Sequence, residues 1–148
     1  MKKVILVVIF FLFTSYLFSN VNCSSSNQIQ EEKIKNMVTK FLDYCDIKDY
    51  ESAGKYLLYN GENANRKYKE IFNYSNTDEK KEVERICKKV NAMLIISDSY
   101  TNGSITQETK EGITWQVLEV FFKSGEQVLR QTFYILEIAN NYYIGIIK

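Results

Sequence analysis

A chain of 148 residues, 45% hydrophobic and 14% aromatic, has room for one domain beyond a leader and enough apolar side chains to build its core, so its composition is not that of a disordered protein. Residues 1–22 hold two of its 19 basic residues and none of its 18 acidic ones, so the remainder carries a net charge of −1 and no overall basic field for nucleic acid. It has no histidine, and its three cysteines form no Cys-x-x-Cys pair; imidazole chemistry is excluded, and neither a metal site nor a cofactor is expected.

The first element is an address. MKKVILVVIFFLFTSYLF has the parts of an export signal: the basic pair Lys2-Lys3, then an uninterrupted apolar run from Val4 to Phe13. That run is too short to span a hydrocarbon core of about 30 Å. The following NVNCSSS resembles the end of a bacterial lipoprotein signal, with Cys23 as the acylated first residue of the mature chain. Asn20 and Asn22 stand where such signals usually carry Leu and a small residue, while Val21 fits. A soluble secreted form and a retained anchor are the alternatives. The expected organisation is a signal peptide over residues 1–22, a flexible polar tether over 23–28 and a single domain over 29–148. The partner on this reading is a membrane of the cell envelope, reached through a lipid on Cys23.

From Gln28 the apolar spacing becomes helical, with Ile34, Met37, Val38, Phe41, Leu42 and Cys45 on one stripe. DYESAGKYLL predicts a short second helix capped by Asp49, with Tyr50, Ala53, Tyr56 and Leu57 inward. ENANRKYKEIFNY suggests a weaker third helix over residues 62–74. NTDEKKEVERICKKVNAMLI predicts a fourth, capped by Asn76 or Thr77, with Val83, Ile86, Cys87, Val90, Met93 and Leu94 as its stripe. Its charges are expected to form a solvated face with pairs such as Glu84–Lys88.

The last third changes period. A polar strand pair or a bent edge strand is expected over 97–110, then strands in GITWQVLEVFF, EQVLRQTFYILEI and YYIGII. Turns are expected at Gly125 and at Asn140-Asn141. The fold class is therefore α+β, with N-terminal helices packed on a curved, cone-like antiparallel β-meander.

The leading helix with FLDYCDIKDYESAGKYLL resembles the opening of the nuclear transport factor 2-like superfamily, and NNYYIGIIK is similar to its closing strand, with Tyr where Trp is usual. The resemblance implies a sheet that partly encloses a pocket against the helices. It implies no activity, because that fold carries many.

If Cys23 carries lipid, Cys45 and Cys87 remain, both on apolar stripes that point at one core. A disulfide between them, or two buried small hydrophobes that never bond, are both open. Among eleven tyrosines, Tyr56, Tyr59, Tyr68, Tyr100, Tyr134, Tyr142 and Tyr143 are candidates for a pocket mouth, although tyrosine on strands and helix margins more often packs core. Trp115 reads as core for the same reason. Enzymes of the superfamily that move protons set an acid or base against a Tyr. Asp43, Asp46, Asp49, Glu119 and Glu137 are the available carboxylates, and the last two interrupt apolar strands, although strand alternation sends half of such residues to solvent. The candidate pocket set is Tyr56, Tyr100, Trp115, Glu119, Tyr134 and Glu137. No nucleophile motif or phosphate-binding glycine loop occurs in the sequence. The expected function is non-catalytic binding of a small apolar ligand or an envelope protein. A small enzyme using a carboxylate and Tyr, or a purely structural module, are the rival readings.

Overall fold

The computed structural model describes residues 27–148, so the leader, Cys23 and most of the tether lie outside the described residues. Residues Ile34–Lys148 form one compact unit. No described helix is long and apolar enough to cross a membrane.

Helix α1 covers residues 27–46, and its apolar stripe is its buried face: Ile34, Met37, Val38, Phe41, Leu42 and Cys45 are all in the core. Helix α2 (Tyr50–Gly54) begins at Asp49, whose carboxylate accepts the Ser52 N–H at 3.1 Å. It is shorter than its sequence suggests, because the next residues find partners in the sheet. Leu58 N–H donates to the Ile144 carbonyl and Ile144 N–H to the Tyr56 carbonyl, both at 2.8 Å.

The third helix expected over 62–74 does not form. Residues 57–59 instead pair antiparallel with 70–72: Tyr59 N–H donates to Glu70 O at 2.8 Å and Phe72 N–H to Leu57 O at 3.2 Å, around a Leu58–Ile71 bridge. The tip between them is a run of turns. The Asn63 side chain accepts the Asn65 N–H at 3.1 Å, and Tyr68 sits at φ 59°. Asn side chains that bond nearby backbone compete with helix, and no apolar stripe offsets that preference here.

Helix α3 (Thr77–Ile95) starts where Asn76 accepts the N–H groups of Asp78 and Glu79 at 3.0 and 3.1 Å. Val83, Cys87, Val90 and Met93 are buried, with Ile86 and Leu94 half-buried. Its outer face is charged and solvated, and Lys88 pairs with Glu84 at 3.1 Å. Glu79 is the exception to that solvated reading. It is buried, accepts two hydrogen bonds from the Arg66 guanidinium at 2.7 and 3.2 Å, and takes a third from Asn73 N–H at 2.7 Å. Arg66 holds the Glu79 carboxyl below the usual carboxylate range.

Four strands, β1 (Ser99–Lys110), β2 (Ile113–Ser124), β3 (Gln127–Ile138) and β4 (Asn141–Ile147), form one antiparallel sheet in the order β1-β2-β3-β4. Of the two possibilities for residues 97–110, the bent edge strand is the one that occurs. Asn102 lies opposite Val120 but Ile105 opposite Leu118, so β1 carries one extra residue. A second bulge lies in β4, where Ile144 faces Ile135 and Ile146 faces Tyr134, leaving Gly145 as the extra residue. The β1–β2 turn holds Glu111 and Gly112 at φ 53° and 76°, as a two-residue hairpin loop requires. The β3–β4 turn uses Ala139 and Asn140 at φ 49° and 65°, one residue earlier than the Asn pair suggests.

The observed class is α+β. The helix-facing side of the sheet presents Tyr100–Phe122–Leu129, Asn102–Val120–Gln131 and Ile105–Leu118–Phe133 as cross-strand rows. Phe41 meets Phe133 edge-on at 6.4 Å from the helix side. The outer side carries a second cluster of Trp115, Val117 and Tyr134, covered by Tyr68 and Ile146.

Candidate functional site

The six residues of the sequence-derived pocket set fall in different places. Trp115 and Tyr134 meet on the outer side of the sheet, at 6.2 Å and perpendicular, and Trp115 is only 1% exposed. They are core to that face rather than a platform. Glu119 lies on the same side, half-buried, and pairs with Arg130 at 3.2 Å. Glu137 is exposed and accepts the Tyr142 hydroxyl at 3.2 Å. Tyr100 lies on the helix-facing side beside Phe122, its hydroxyl pushed up by burial and by Asp43. Tyr56 stacks on Tyr44 at 5.9 Å, and burial pushes its hydroxyl up. Neither strand carboxylate is thus buried opposite a tyrosine in an enclosed space.

The remaining candidates have local roles. Asp49 caps α2, and Asp46 accepts the Asn91 side chain at 3.3 Å. Tyr68 packs edge-on against Trp115 at 4.9 Å, and Tyr59 against Phe72 at 5.7 Å. Tyr143 lines a broad open cleft whose other walls include Glu51, Lys55, Arg66 and Glu70. Lys110 donates to the Tyr134 hydroxyl and pairs with Glu108 at 2.9 Å, which keeps the Glu108 carboxyl below its usual range.

An apolar cavity of about 120 Å³ lies elsewhere, between α3 and β4. Leu57, Phe72, Ile86, Val90 and Ile144 form much of its wall. The wall exists because Leu57 leaves α2 to bridge to Ile144, which brings an apolar segment alongside β4 and under the stripe of α3. Its polar lining residues are Asn60, Glu82, Arg85 and Lys89. Arg85 is held by Glu82 through bonds of 2.8 and 2.6 Å, whereas Lys89 has no ion-pair partner among the described residues. Two cations and one carboxylate thus stand beside a mostly apolar wall, with Lys89 as the excess positive charge, a combination suited to an amphiphile with a negative head. Among the described residues no three His, Cys, Asp or Glu side chains are grouped as metal ligands would be.

Sequence reasoning missed this cavity. Its residues come from a bridge segment, a turn-rich excursion, α3 and β4, and no local spacing joins them. The available signal was the pair Leu57-Leu58, apolar on both sides of so short a segment, which only a segment walled on two faces needs.

No family model matches the chain, and no curated protein matches it. Among solved structures, a candidate scytalone dehydratase from Novosphingobium aromaticivorans is similar over 84% of this chain and 85% of its own, at 8% identity and a TM-score of 0.38. The α+β class of this chain stands on its own element order and strand pairing.

Proposed function

We propose that this chain is an exported, membrane-tethered binding domain that takes up a small amphiphile in the cavity between α3 and β4, without catalysis. One observation carries the reading: a largely apolar cavity of about 120 Å³ lined on one side by Lys89, which has no ion-pair partner among the described residues. Its size suits a group of roughly benzene dimensions or a short alkyl chain. The ligand class is then a short carboxylic acid, its chain inside and its carboxylate at Lys89. Membership of the nuclear transport factor 2-like superfamily is part of the same proposal, supported by helices that precede a bulged antiparallel meander. Tethering is supported by Lys2-Lys3, the apolar run and Cys23 before three serines. The non-catalytic reading is supported by Glu119 and Glu137, which face away from any enclosed space.

Calorimetric titration of the full chain with hexanoate and with 1-hexanol tests the ligand. Hexanoate is expected to bind saturably and more tightly than the alcohol. Lys89→Glu is expected to weaken the acid roughly five-fold and leave the alcohol unchanged. Absence of saturable binding by either compound would overturn the reading. Intact-mass measurement of membrane-extracted protein tests the tether, with a diacylglycerol adduct expected on Cys23.

A further inference from the structure

Helices α1 and α3 meet at one level of the core. Cys45, in the last turn of α1, and Cys87, midway along α3, are both fully buried and belong to one apolar cluster. Both thiols are free in the structure, and Cys87 is the neighbour that perturbs the Cys45 thiol most. A second contact fixes the same level independently. One residue past Cys45 and one turn past Cys87, the Asn91 side-chain amide donates to the backbone oxygen of Asp46 at 3.2 Å and to its carboxylate at 3.3 Å. The two cysteines are thus brought to one level of the core by the packing of two long helices, not by the chance orientation of exposed side chains.

We infer that Cys45 and Cys87 are the two halves of a disulfide that joins α1 to α3 and encloses residues 46–86. The enclosed stretch holds α2, the bridge segment, the turn-rich excursion and the first half of α3, and the bridge and excursion have the least helix or sheet of their own among the described residues. A cross-link across their base restricts the unfolded chain where the folded one depends most on irregular structure. The chemistry is thiol–disulfide exchange with a disulfide-form oxidant. The thiolate of one cysteine attacks the oxidant and displaces one of its thiols, leaving a mixed disulfide. The second cysteine, losing its proton, attacks that bond and displaces the other thiol. Two protein thiols give up two electrons and two protons, and the oxidant's disulfide is reduced to two thiols.

Burial sets the timing. In the folded chain neither sulfur is exposed, and the hydrogen bond with Cys87, with desolvation, pushes the Cys45 thiol well above its ordinary range. Oxidation therefore belongs to the folding chain, before α1 closes on α3. The inference goes beyond the ligand reading, and it uses export only to say where an oxidant is met.

The test uses the full chain, reduced and denatured in guanidinium, then refolded by dilution into a mixture of reduced and oxidised glutathione. The refolded protein is quenched in acid and unfolded again in guanidinium, free thiols are alkylated there with iodoacetamide, and the peptides are mapped by mass spectrometry. The expected result is a Cys45–Cys87 linked peptide as the main product, with Cys23 alkylated. The thermal midpoint of the linked form is expected to exceed that of the same protein after reduction by on the order of 10 °C. Recovery of Cys45 and Cys87 both alkylated, or of either joined to Cys23, overturns the inference. A linked product whose midpoint does not rise overturns the stapling role. After oxidative refolding, Cys45→Ala, Cys87→Ala and the double variant are expected to share one midpoint, because losing either thiol loses the bridge. Additive losses would identify two independent packing residues instead.

Discussion

Replacing one hydrogen tests the packing of the outer side of the sheet. A Cβ at position 145 would stand 2.5 Å from Cζ3 and 2.7 Å from Cη2 of Trp115, with Tyr68 Cδ1 at 3.4 Å. The indole cannot step aside: it is 1% exposed, and Tyr68 and Tyr134 press edge-on at 4.9 and 6.2 Å. Overpacking of a well-filled core costs about 1–3 kcal/mol, and a contact this short belongs in the upper half of that range. Alanine is less flexible than glycine in the unfolded chain and recovers roughly 0.5–1 kcal/mol. Gly145→Ala is therefore expected to destabilise the domain by about 1–2 kcal/mol and to lower the thermal midpoint by roughly 4 °C per kcal/mol. Urea unfolding followed by tryptophan fluorescence measures it directly, since Trp115 is the chain's one tryptophan. In a Trp115→Leu background, read by circular dichroism, the same substitution is expected to become neutral or favourable, because the clashing ring atoms are gone. A neutral Gly145→Ala in the original chain, or an equal loss in both backgrounds, would refute the reasoning.

The buried carboxylate of Glu79 predicts acid sensitivity. Its folded pKa is depressed from an ordinary value of 4.5, so its contribution is present above pH 4.5 and is lost as pH falls through the folded value. Glu79→Gln is expected to lower the urea midpoint at pH 7 and to flatten its decline below pH 4.5; an unchanged acid slope would show that other carboxylates carry it. The row Asn102–Val120–Gln131 interrupts the helix-facing side with two buried side-chain oxygens, Asn102 Oδ1 and Gln131 Oε1, that have no hydrogen-bond partner among the described residues. Gln131→Met keeps the shape and removes one orphaned acceptor, so it is expected to stabilise by about 1 kcal/mol; a loss in chemical denaturation would mean that a donor does satisfy that oxygen.

Much of the framework was legible in the sequence because it rests on short-range rules. The stripes of α1 and α3, the caps at Asp49 and Asn76, and the three apolar strands follow from spacing and local hydrogen bonds that the chain carries in itself. Residues 62–74 failed that test for a physical reason. Their structure is decided by distant partners: Tyr59 and Leu57 through the backbone, and Glu79 through Arg66. The burial of Glu79 was hidden likewise, since a carboxylate in a charged first turn looks solvated until its guanidinium is placed. The candidate pocket residues fall on different faces of the sheet because of register. Strand alternation says that Tyr100 and Trp115 alternate with their neighbours but not which face each takes across a sheet. The extra residue in β1 and Gly145 in β4 each shift the count by one, so that Gly145 and Ile146 both turn to the outer side. The cavity walls meet only in three dimensions, and Lys89 looked like any other member of a charge run.

The bridge of Leu57 to Ile144 has a consequence for how molecules of this chain can meet. A sheet grows by strand addition at an edge, and an open-ended stack needs two receptive edges per molecule. On β4 the outward groups of Ile144 are already taken by Tyr56 and Leu58, and the Gly145 carbonyl accepts the Asn60 side chain at 3.4 Å. The described sheet therefore offers one edge, β1, and that edge is bent by its extra residue and mostly polar. Two copies could pair there once. A third would find no place to add, so edge pairing ends at a dimer even at high concentration.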